Sequence, residues 1–512
     1  MKRILRVPMR AKIFASVICI VATCALAQTT SPATQKSELT PAEKLAVTTH
    51  PLDAASIKGE YTATAGYIAL KDDQQKLRAN IFHVAYTLKN ANAAKRPVTF
   101  VFNGGPGAAS VWLHLGTAGP QRIDFPADGS APKLPGRLVK NEFTWLTHTD
   151  LVFIDPVNTG YSRPATPEQG KEFHGVQEDI QAVGEFIRLW LVKNERWQSP
   201  KFLAGESYGT TRAAGLSEHL ADRHGIALNG IVLISTVLNF GTLAPKEGND
   251  VPFALYLPTY AAVAWQHKKL PDQKKYATLD DLKKDVEKFA LDEYAPALLK
   301  GDKLDEATRA RIAERLVAYT GLSREFIELS NLRVPPARFM KQLMAADRKV
   351  VGRFDGRIMG PALDPANDSA EFDPSLTPFY GAYTSTINSY IRETLKYEND
   401  LNYEVLSNRV HPWNFQGGGG GGWSGFLYVA DDLRNAMHKN NQLKVLVCSG
   451  SFDLATPYFA AEHTLRTMGL DKSVRGNVSH VYYPAGHMMY HERSSLEKLH
   501  QDITTFIENA TK

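Results

Sequence analysis

The pentapeptide Gly205-Glu206-Ser207-Tyr208-Gly209 constrains the fold of this chain more than any other stretch. A short, mainly apolar run at 201–204 precedes it, and residues 210–220 follow with a helical pattern. Gly-x-Ser-x-Gly between a strand and a helix is typical of a nucleophile elbow, a sharp turn that lifts a serine hydroxyl clear of a sheet. Because the motif alone arises often by chance, the prediction depends on whether the chain supplies partners for Ser207.

Strands and helices alternate on both sides of this turn. Short apolar segments predict buried strands at 97–102 and 150–155, and further strands are predicted at 201–204, 230–235, 444–449 and 478–483. Helical patterns occur at 175–194, 210–220, 425–439, 457–468 and 494–510. Two β-rich segments near the start, 61–70 and 80–88, predict an antiparallel hairpin. The alternation predicts an α/β fold with a central, mostly parallel sheet flanked by helices.

The alternation stops after about residue 240. The next hundred residues have helical patterns and no obvious strand, with helices predicted at 279–299, 305–320 and 336–347. We therefore predict a mainly helical cap at 241–430, inserted between two core segments at 49–240 and 431–512. Six consecutive glycines, 417–422, predict a flexible loop that is either a hinge of the cap or a plain surface loop.

The first 27 residues have the organisation of a secretory signal peptide. Five basic residues precede an apolar stretch at 13–22, and Ala25-Leu26-Ala27 is a small-x-small cleavage site. The apolar stretch is short for a membrane-spanning helix, which takes about 20 residues, so a membrane anchor is the less favoured interpretation. Residues 28–48 are rich in Thr, Ser, Ala, Gln and Lys and are predicted to be a flexible segment.

Removal of the signal peptide changes both the charge and the cysteine content. It carries five of the 59 Lys and Arg residues and no Asp or Glu, so the mature chain has 54 residues of each sign. This balance gives no indication of a nucleic acid or an anionic membrane as a partner. Only Cys448 remains of three cysteines, which excludes an intramolecular disulfide. We expect an exported protein, periplasmic or extracellular, of bacterial type, while its oligomeric state stays open.

Two polar residues after later strands supply the partners that a nucleophilic serine needs. Asp453 lies four residues past Ser449, and His487 lies four residues past Tyr483. Ligands bind beyond the carboxyl ends of the strands in such sheets, so both are predicted at the same edge as Ser207. The order Ser, Asp, His is the one expected for an α/β-hydrolase.

Two alternative sites use other residues. Asp155 also follows a strand, but it precedes the elbow, which is the wrong order for the third member of such a triad. His487, His491 and Glu492 suggest a metal cluster, but no further cluster of ligand residues accompanies them. We therefore expect neither a metal nor another cofactor.

A glycine-rich segment, Asn103-Gly104-Gly105-Pro106-Gly107, follows the strand at 97–102. An oxyanion that develops during acyl transfer needs two preorganised donors. The N–H of Tyr208, just after the nucleophile, is the first candidate, and this segment offers the second because glycine lets a substrate approach the backbone closely. The alternative is a tight turn that needs glycine for its geometry alone.

Together these motifs resemble the serine carboxypeptidase family over roughly 60–508. The resemblance rests on the elbow and on four other stretches, which are 103–107, Gly119-Pro120, the sequence Asp-Pro-Val-Asn-Thr-Gly-Tyr-Ser at 155–162, and Ala485-Gly-His-Met488. It implies an α/β-hydrolase fold with a helical cap, and the removal of C-terminal residues from peptides through an acyl-enzyme.

The resemblance also implies roles for individual residues. It implies a catalytic triad of Ser207, Asp453 and His487 and an oxyanion hole formed by the amides of Gly105 and Tyr208. It implies a site for the terminal carboxylate and the departing residue of a peptide, formed by Asn103, Gly104, Glu206 and Met488. Glu206 suits a carboxylate only if it is protonated, because two buried anions repel each other.

Three positions depart from the family's pattern. A second glutamate is often paired with the one before the serine, and Thr117 stands at that position here. The usual Trp before the glycine-rich segment is Phe102, and the usual Cys after it is Ala108. The missing carboxyl keeps open an esterase or an acyltransferase on the same scaffold. A catalytically inactive binding protein is a further alternative, which the intact Ser, Asp and His disfavour.

Overall fold

The computed structural model describes residues 45–54, 57–416 and 425–512. The predicted signal peptide and the glycine run lie outside the described residues.

The strands, in chain order, are β1 (Leu45–Ala54), β2 (Ile57–Lys71), β3 (Leu77–Leu88), β4 (Val98–Phe102), β5 (Gln121–Ile123), β6 (Leu138–Lys140), β7 (Asp150–Ile154), β8 (Arg163–Pro164), β9 (Lys201–Glu206), β10 (Gly230–Ile234), β11 (Lys349–Val351), β12 (Met359–Pro361), β13 (Lys444–Gly450) and β14 (Val478–Tyr483). The α-helices are α1 (Val111–Leu113), α2 (Val176–Lys193), α3 (Tyr208–His224), α4 (Val251–Gln266), α5 (Leu279–Phe289), α6 (Ala295–Lys300), α7 (Glu306–Thr320), α8 (Arg324–Leu329), α9 (Pro336–Gln342), α10 (Thr377–Ser389), α11 (Ala430–Lys439), α12 (Tyr458–Thr467), α13 (Lys472–Arg475) and α14 (Arg493–Ala510).

Ten of the strands form one mixed sheet. Its order is β1-β2-β3-β7-β4-β9-β10-β13-β14, and β8 pairs with β3. Neighbouring strands from β7 to β14 are parallel, whereas β2 is antiparallel to both β1 and β3, and β3 is antiparallel to β7. The predicted hairpin is β2–β3, and each of the six other predicted strands has its counterpart in the sheet. The predicted central, mostly parallel sheet is confirmed.

Helices cover both faces of the parallel part of the sheet. Phe202 and Ala204 of β9 belong to one hydrophobic core, which also contains Leu499 of α14. Leu203, between them, points to the opposite face and belongs to a second core with Phe186 of α2. Burial on both faces explains why these strands are continuously apolar rather than alternating.

Helices α4 to α9 share a third hydrophobic core. Within it, the rings of Tyr260 and Phe339 stack with their centroids 4.0 Å apart. The same core includes Phe452, Leu454 and Tyr458, which follow β13. The helices of this segment therefore pack directly against the strand-end stretch that contains Asp453. A short antiparallel pair, β11 and β12, adds strands that the sequence did not predict.

Several element boundaries differ from the predictions. The segment 28–48 was predicted to be flexible throughout, but β1 begins at Leu45 because this stretch pairs with β2 as the outermost strand. The helix predicted over 425–439 begins at Ala430, since Tyr428 forms a β-bridge with Asn239. The helix predicted over 279–299 is α5 and α6 joined by a wider turn at Ala290–Tyr294. The helix predicted over 336–347 ends at Gln342.

Within the described ranges, no helix is both long and apolar enough to cross a membrane.

Candidate active site

Ser207 occupies the turn between β9 and α3 in a strained backbone conformation. Its φ of 59° and ψ of −128° lie in a region that non-glycine residues rarely adopt, and such strain is concentrated at functional sites. Its N–H donates to the carbonyl of Ile234 in β10 at 2.9 Å. A Cβ on Gly205 would lie 2.2 Å from the carbonyl oxygen of Gly209. The elbow therefore requires glycine at that position, as predicted.

Asp453 and His487 form a buried hydrogen-bonded pair. Oδ2 of Asp453 lies 2.7 Å from Nδ1 of His487, and both side chains are almost fully buried. The other carboxylate oxygen of Asp453 accepts the N–H groups of Ala455 at 2.8 Å and Thr456 at 2.9 Å. The Thr456 hydroxyl donates to Oδ2 at 2.7 Å. These bonds hold the carboxylate in place, and they leave Nε2 of the imidazole for another partner.

The backbone of His487 is fixed on both sides. Its N–H donates to the carbonyl of Phe354 at 2.6 Å, and its carbonyl accepts the hydroxyl of Ser235 at 2.6 Å. The Phe354 ring meets the imidazole edge-on, with the centroids 4.8 Å apart. Phe354 comes from the segment between β11 and β12, so this insertion contributes to the orientation of the histidine.

The sheet brings the three predicted triad residues to one edge. Ser207 directly follows β9, Asp453 comes three residues after β13, and His487 comes four residues after β14. Among the described residues, a hydrogen bond joins Asp453 to the imidazole of His487, and none joins that imidazole to the Ser207 hydroxyl. The rival carboxylate, Asp155, instead accepts the N–H of Ser110 at 2.9 Å.

The glycine-rich segment 103–107 lies directly against the elbow. A Cβ on Gly104 would be 2.4 Å from the amide nitrogen of Tyr208 and 2.6 Å from that of Gly209. Gly105 has a φ of +99°, where a side chain would be strained. The N–H of Tyr208 belongs to the first turn of α3, whose amides have no partner within the helix. The two predicted oxyanion donors therefore belong to chain segments in direct contact.

Glu206 is a buried carboxyl group with two hydrogen-bond donors. Its side chain belongs to a residue that is only 3% exposed. Oε2 accepts Nδ2 of Asn103 at 2.9 Å and the hydroxyl of Tyr490 at 2.8 Å. Burial raises the pKa of Glu206 to about 7, against the opposing effects of the nearby His487 and of these two donors. Near neutral pH the group is therefore present both as the acid and as the carboxylate.

A buried ion pair supports this part of the site. Nε of Arg212 in α3 donates to Oδ2 of Asp179 in α2 at 2.7 Å, and both groups are buried. Nη1 of Arg212 donates to the carbonyl of Asn103 at 2.5 Å, and the guanidinium lies over the rings of Phe102 and Tyr208. This pair was not predictable from the sequence, because 33 residues separate its members and no local motif relates them.

The remaining predicted substrate residue, Met488, is 9% exposed and borders the core next to His487. Tyr490, two residues further along the chain, contacts Glu206, and no sequence motif predicted this role. Its ring lies so close to Gly116 that a Cβ there would be 2.4 Å from it. Thr117, where the resemblance places a second glutamate, is fully buried.

His491 is part of an aromatic cluster. Its Nε2 lies 3.0 Å from the Tyr383 hydroxyl, and its ring stacks on Phe379 with centroids 4.6 Å apart. Burial lowers the pKa of His491 to about 3. In the part of the chain that the structure describes, no group of three or more His, Cys, Asp and Glu residues is arranged to hold a metal ion.

Comparisons with known proteins relate the chain to one family. The family model described as serine carboxypeptidase matches residues 56–497. The pheromone-processing carboxypeptidase KEX1 of Saccharomyces cerevisiae is 30% identical over 156 residues, which cover 28% of this chain and 20% of the yeast protein. The serine carboxypeptidase-like 36 protein of Arabidopsis thaliana is 27% identical over 179 residues, 34% of each chain. The aligned stretches thus span a fifth and a third of these relatives.

A solved structure shares the fold over most of the chain. The crystal structure of KEX1Δp, a prohormone-processing carboxypeptidase from Saccharomyces cerevisiae, aligns with a TM-score of 0.54 at 16% identity. The alignment covers 87% of this chain and 91% of that one. At this identity the likeness concerns the fold, and it agrees with the α/β-hydrolase fold predicted from the motifs.

Proposed function

The chain belongs to the serine carboxypeptidase family, and on that basis we propose that it removes C-terminal residues from peptides with a free terminal carboxylate. The observation that carries the proposal is the buried pair of Glu206 and Asn103 beside the elbow. A nucleophilic serine alone serves many hydrolases. A buried carboxyl group with a raised pKa, next to an amide donor, suits the recognition of a carboxylate in particular.

The chemistry follows from the arrangement at the sheet edge. Oγ of Ser207 attacks the carbonyl carbon of the last peptide bond while Nε2 of His487 accepts its proton, and Asp453 stabilises the imidazolium. The imidazolium then protonates the departing amine, which releases the C-terminal amino acid and leaves an ester on the serine. His487 next removes a proton from water, and the resulting attack on the ester frees the shortened peptide.

Two further groups of residues assist these steps. The amides of Gly105 and Tyr208 stabilise the oxyanion in both tetrahedral intermediates. Protonated Glu206, the side-chain amide of Asn103 and the backbone at Gly104 hold the terminal carboxylate of the substrate. Glu206 must carry its proton at this moment, because a buried carboxylate would repel that of the substrate.

The decisive experiment compares a blocked dipeptide with a free C-terminal acid and the same dipeptide with a C-terminal amide. We expect a strong preference for the free acid, with single C-terminal residues detected as products by mass spectrometry. Ser207→Ala should abolish this hydrolysis, and retention of full activity in that variant would contradict the proposal. Equal rates on the acid and the amide would show that the terminal carboxylate is not recognised.

An esterase or an acyltransferase on the same scaffold is the second candidate function. The observation that favours it is at Thr117, whose buried hydroxyl has no hydrogen-bond partner within the described ranges and which supplies no second carboxyl. Ester or acyl-transfer substrates that outperform free-acid peptides would favour this candidate. A catalytically inactive binding protein would fail to react with a fluorophosphonate probe, whereas we expect labelling that disappears in Ser207→Ala.

We also propose that the protein is exported, to a periplasm or to the medium. The proposal rests on the basic and apolar character of residues 1–27 and on the single cysteine that follows them. Cell fractionation and N-terminal sequencing of the mature protein test it, and we expect cleavage after Ala27. A protein that keeps its first 27 residues in the cytoplasm would contradict it.

A further inference from the structure

The two carboxyl oxygens of Glu206 have different surroundings. Oε2 accepts two hydrogen bonds, from Nδ2 of Asn103 at 2.9 Å and from the hydroxyl of Tyr490 at 2.8 Å. Oε1 has no hydrogen-bond partner among the residues that the structure describes. Two donors occupy the two lone-pair directions of a carboxyl oxygen, so Oε2 has no room for a proton of its own. As long as both donors stay bound to Oε2, the proton of neutral Glu206 resides on Oε1.

We propose that Tyr490 is a positioning residue for the terminal carboxylate of the substrate, because its hydroxyl holds Oε2 of Glu206 and so directs the acidic proton to Oε1. The inference rests on the proposed carboxypeptidase function and adds a residue to it. A proton held on one oxygen presents a single donor to the substrate. A carboxyl group free to carry its proton on either oxygen would present that donor for only part of the time.

The packing around Tyr490 suits this role. A Cβ on Gly116 would lie 2.4 Å from the Tyr490 ring and 2.7 Å from the Tyr383 hydroxyl, so the glycine leaves the space that the phenol ring occupies. Burial and the neighbouring Glu206 keep the pKa of Tyr490 well above its usual value. The phenol therefore stays protonated and acts as a donor throughout the range in which Glu206 titrates.

The charged groups that face Glu206 come from two other strand ends. His487 favours the ionised form of the carboxyl, and Asp453 favours the neutral form. The hydroxyl of Tyr490 and the amide of Asn103 also favour the ionised form, since both donate to it. Removal of the Tyr490 hydroxyl leaves His487 and Asp453 in place and deletes one donor, so the pKa of Glu206 should rise.

Tyr490→Phe tests the proposal, with Tyr86→Phe as a matched control. Tyr86 is also fully buried and loses a hydroxyl that contacts His114 at 2.6 Å and Tyr390 at 3.0 Å, with no contact to Glu206. The measurement is kcat/KM against pH for the free-acid dipeptide and for its amide. A hydrogen bond to a charged group stabilises it by about 1.5–3 kcal/mol, equivalent to about one to two pH units.

In Tyr490→Phe we expect the loss of free-acid activity at rising pH to occur about one unit higher than in the wild type. Below that limb, the preference for the acid over the amide should fall about twofold, as expected for a proton shared between the two carboxyl oxygens. Amide hydrolysis and the whole profile of Tyr86→Phe should stay as in the wild type. An unshifted limb together with an unchanged preference would overturn the proposal.

Infrared spectroscopy of the wild type gives a test that does not depend on the folding of Tyr490→Phe. The difference spectrum against Glu206→Gln isolates the carbonyl stretch of neutral Glu206. With the proton on Oε1, the carbonyl is Oε2, and its two hydrogen bonds should lower the stretching frequency. A band at the frequency of a carbonyl without hydrogen bonds would refute the inference.

Different results would contradict the carboxypeptidase function and the positioning role of Tyr490. If the wild type hydrolyses the free acid and the amide equally well, the carboxypeptidase function fails and Tyr490 has no carboxylate to position. If the wild type prefers the free acid and Tyr490→Phe has the same preference and pH limb, the function stands and the role of Tyr490 fails.

Discussion

Glu206→Gln is expected to make the folded protein more stable than the wild type at alkaline pH. Burial raises the pKa of Glu206 from its usual 4.5 to about 7 in the folded protein. A group with a raised pKa binds its proton more tightly in the folded state than in the unfolded state. The wild type therefore loses stability as the pH rises from about 4.5 to about 7, and the full loss is present above that range.

The size of this loss follows from the pKa difference. A difference of about 2.5 units, at about 1.4 kcal/mol per unit, corresponds to a loss of about 3 kcal/mol. Glutamine has no such titration, and its carbonyl oxygen can still accept the hydrogen bonds of Asn103 and Tyr490. The free energy of unfolding of Glu206→Gln relative to the wild type should thus rise by about 3 kcal/mol between pH 4 and pH 8.

Urea unfolding at a series of pH values measures this difference. Asp155, whose pKa burial also raises to about 7, contributes equally to both proteins and cancels. Glu497→Gln, which removes a carboxyl group at an exposed position of α14, is the control. Parallel stability curves for the wild type and Glu206→Gln would refute the reasoning, because they would mean that the buried carboxyl titrates alike in both states.

Three other substitutions test the supports of the site. Arg212→Met should lower the free energy of unfolding by about 3–5 kcal/mol, because it leaves Asp179 buried without its ion-pair partner. Adding Asp179→Leu to the same chain should recover most of this loss, as measured by urea unfolding. Gly104→Ala should lower kcat by about 100-fold or more, because the Cβ of the alanine would displace the Tyr208 amide. A kcat near that of the wild type would show that the oxyanion donors lie elsewhere. Thr456→Val removes a hydroxyl that donates to the Asp453 carboxylate and should lower kcat about tenfold, whereas Thr456→Ser should stay close to the wild type. Equal kcat values for the two variants would show that this hydroxyl is dispensable.

Features that depend on local chemistry were open to prediction from the sequence. Continuous apolar runs predicted the buried strands β4 and β7, because a strand covered on both faces needs apolar side chains on both. Glycines at 205 and 209 predicted the elbow, because a sharp turn against a neighbouring strand excludes a Cβ. The positions just after β13 and β14 predicted that Asp453 and His487 would share an edge, and the structure joins them by a 2.7 Å hydrogen bond.

Element ends and distant contacts required the tertiary structure. The start of β1 at Leu45 depends on pairing with β2, and the late start of α11 depends on a bridge to Asn239, so local composition misjudged both. Tyr490 and Glu206 are 284 residues apart, and the fold brings the phenol to the carboxyl oxygen through a space that Gly116 leaves open.

The sequence by itself therefore determined the class of fold, the order of the candidate triad and the turn that exposes Ser207. Each of these follows from residue types at short range and from the rule that parallel strands end at a common edge. Only the tertiary structure decided which groups surround Glu206, and hence its pKa and the oxygen that carries its proton. Burial and hydrogen bonding set these properties, and both depend on residues at or just after the ends of four different strands, β4, β9, β13 and β14.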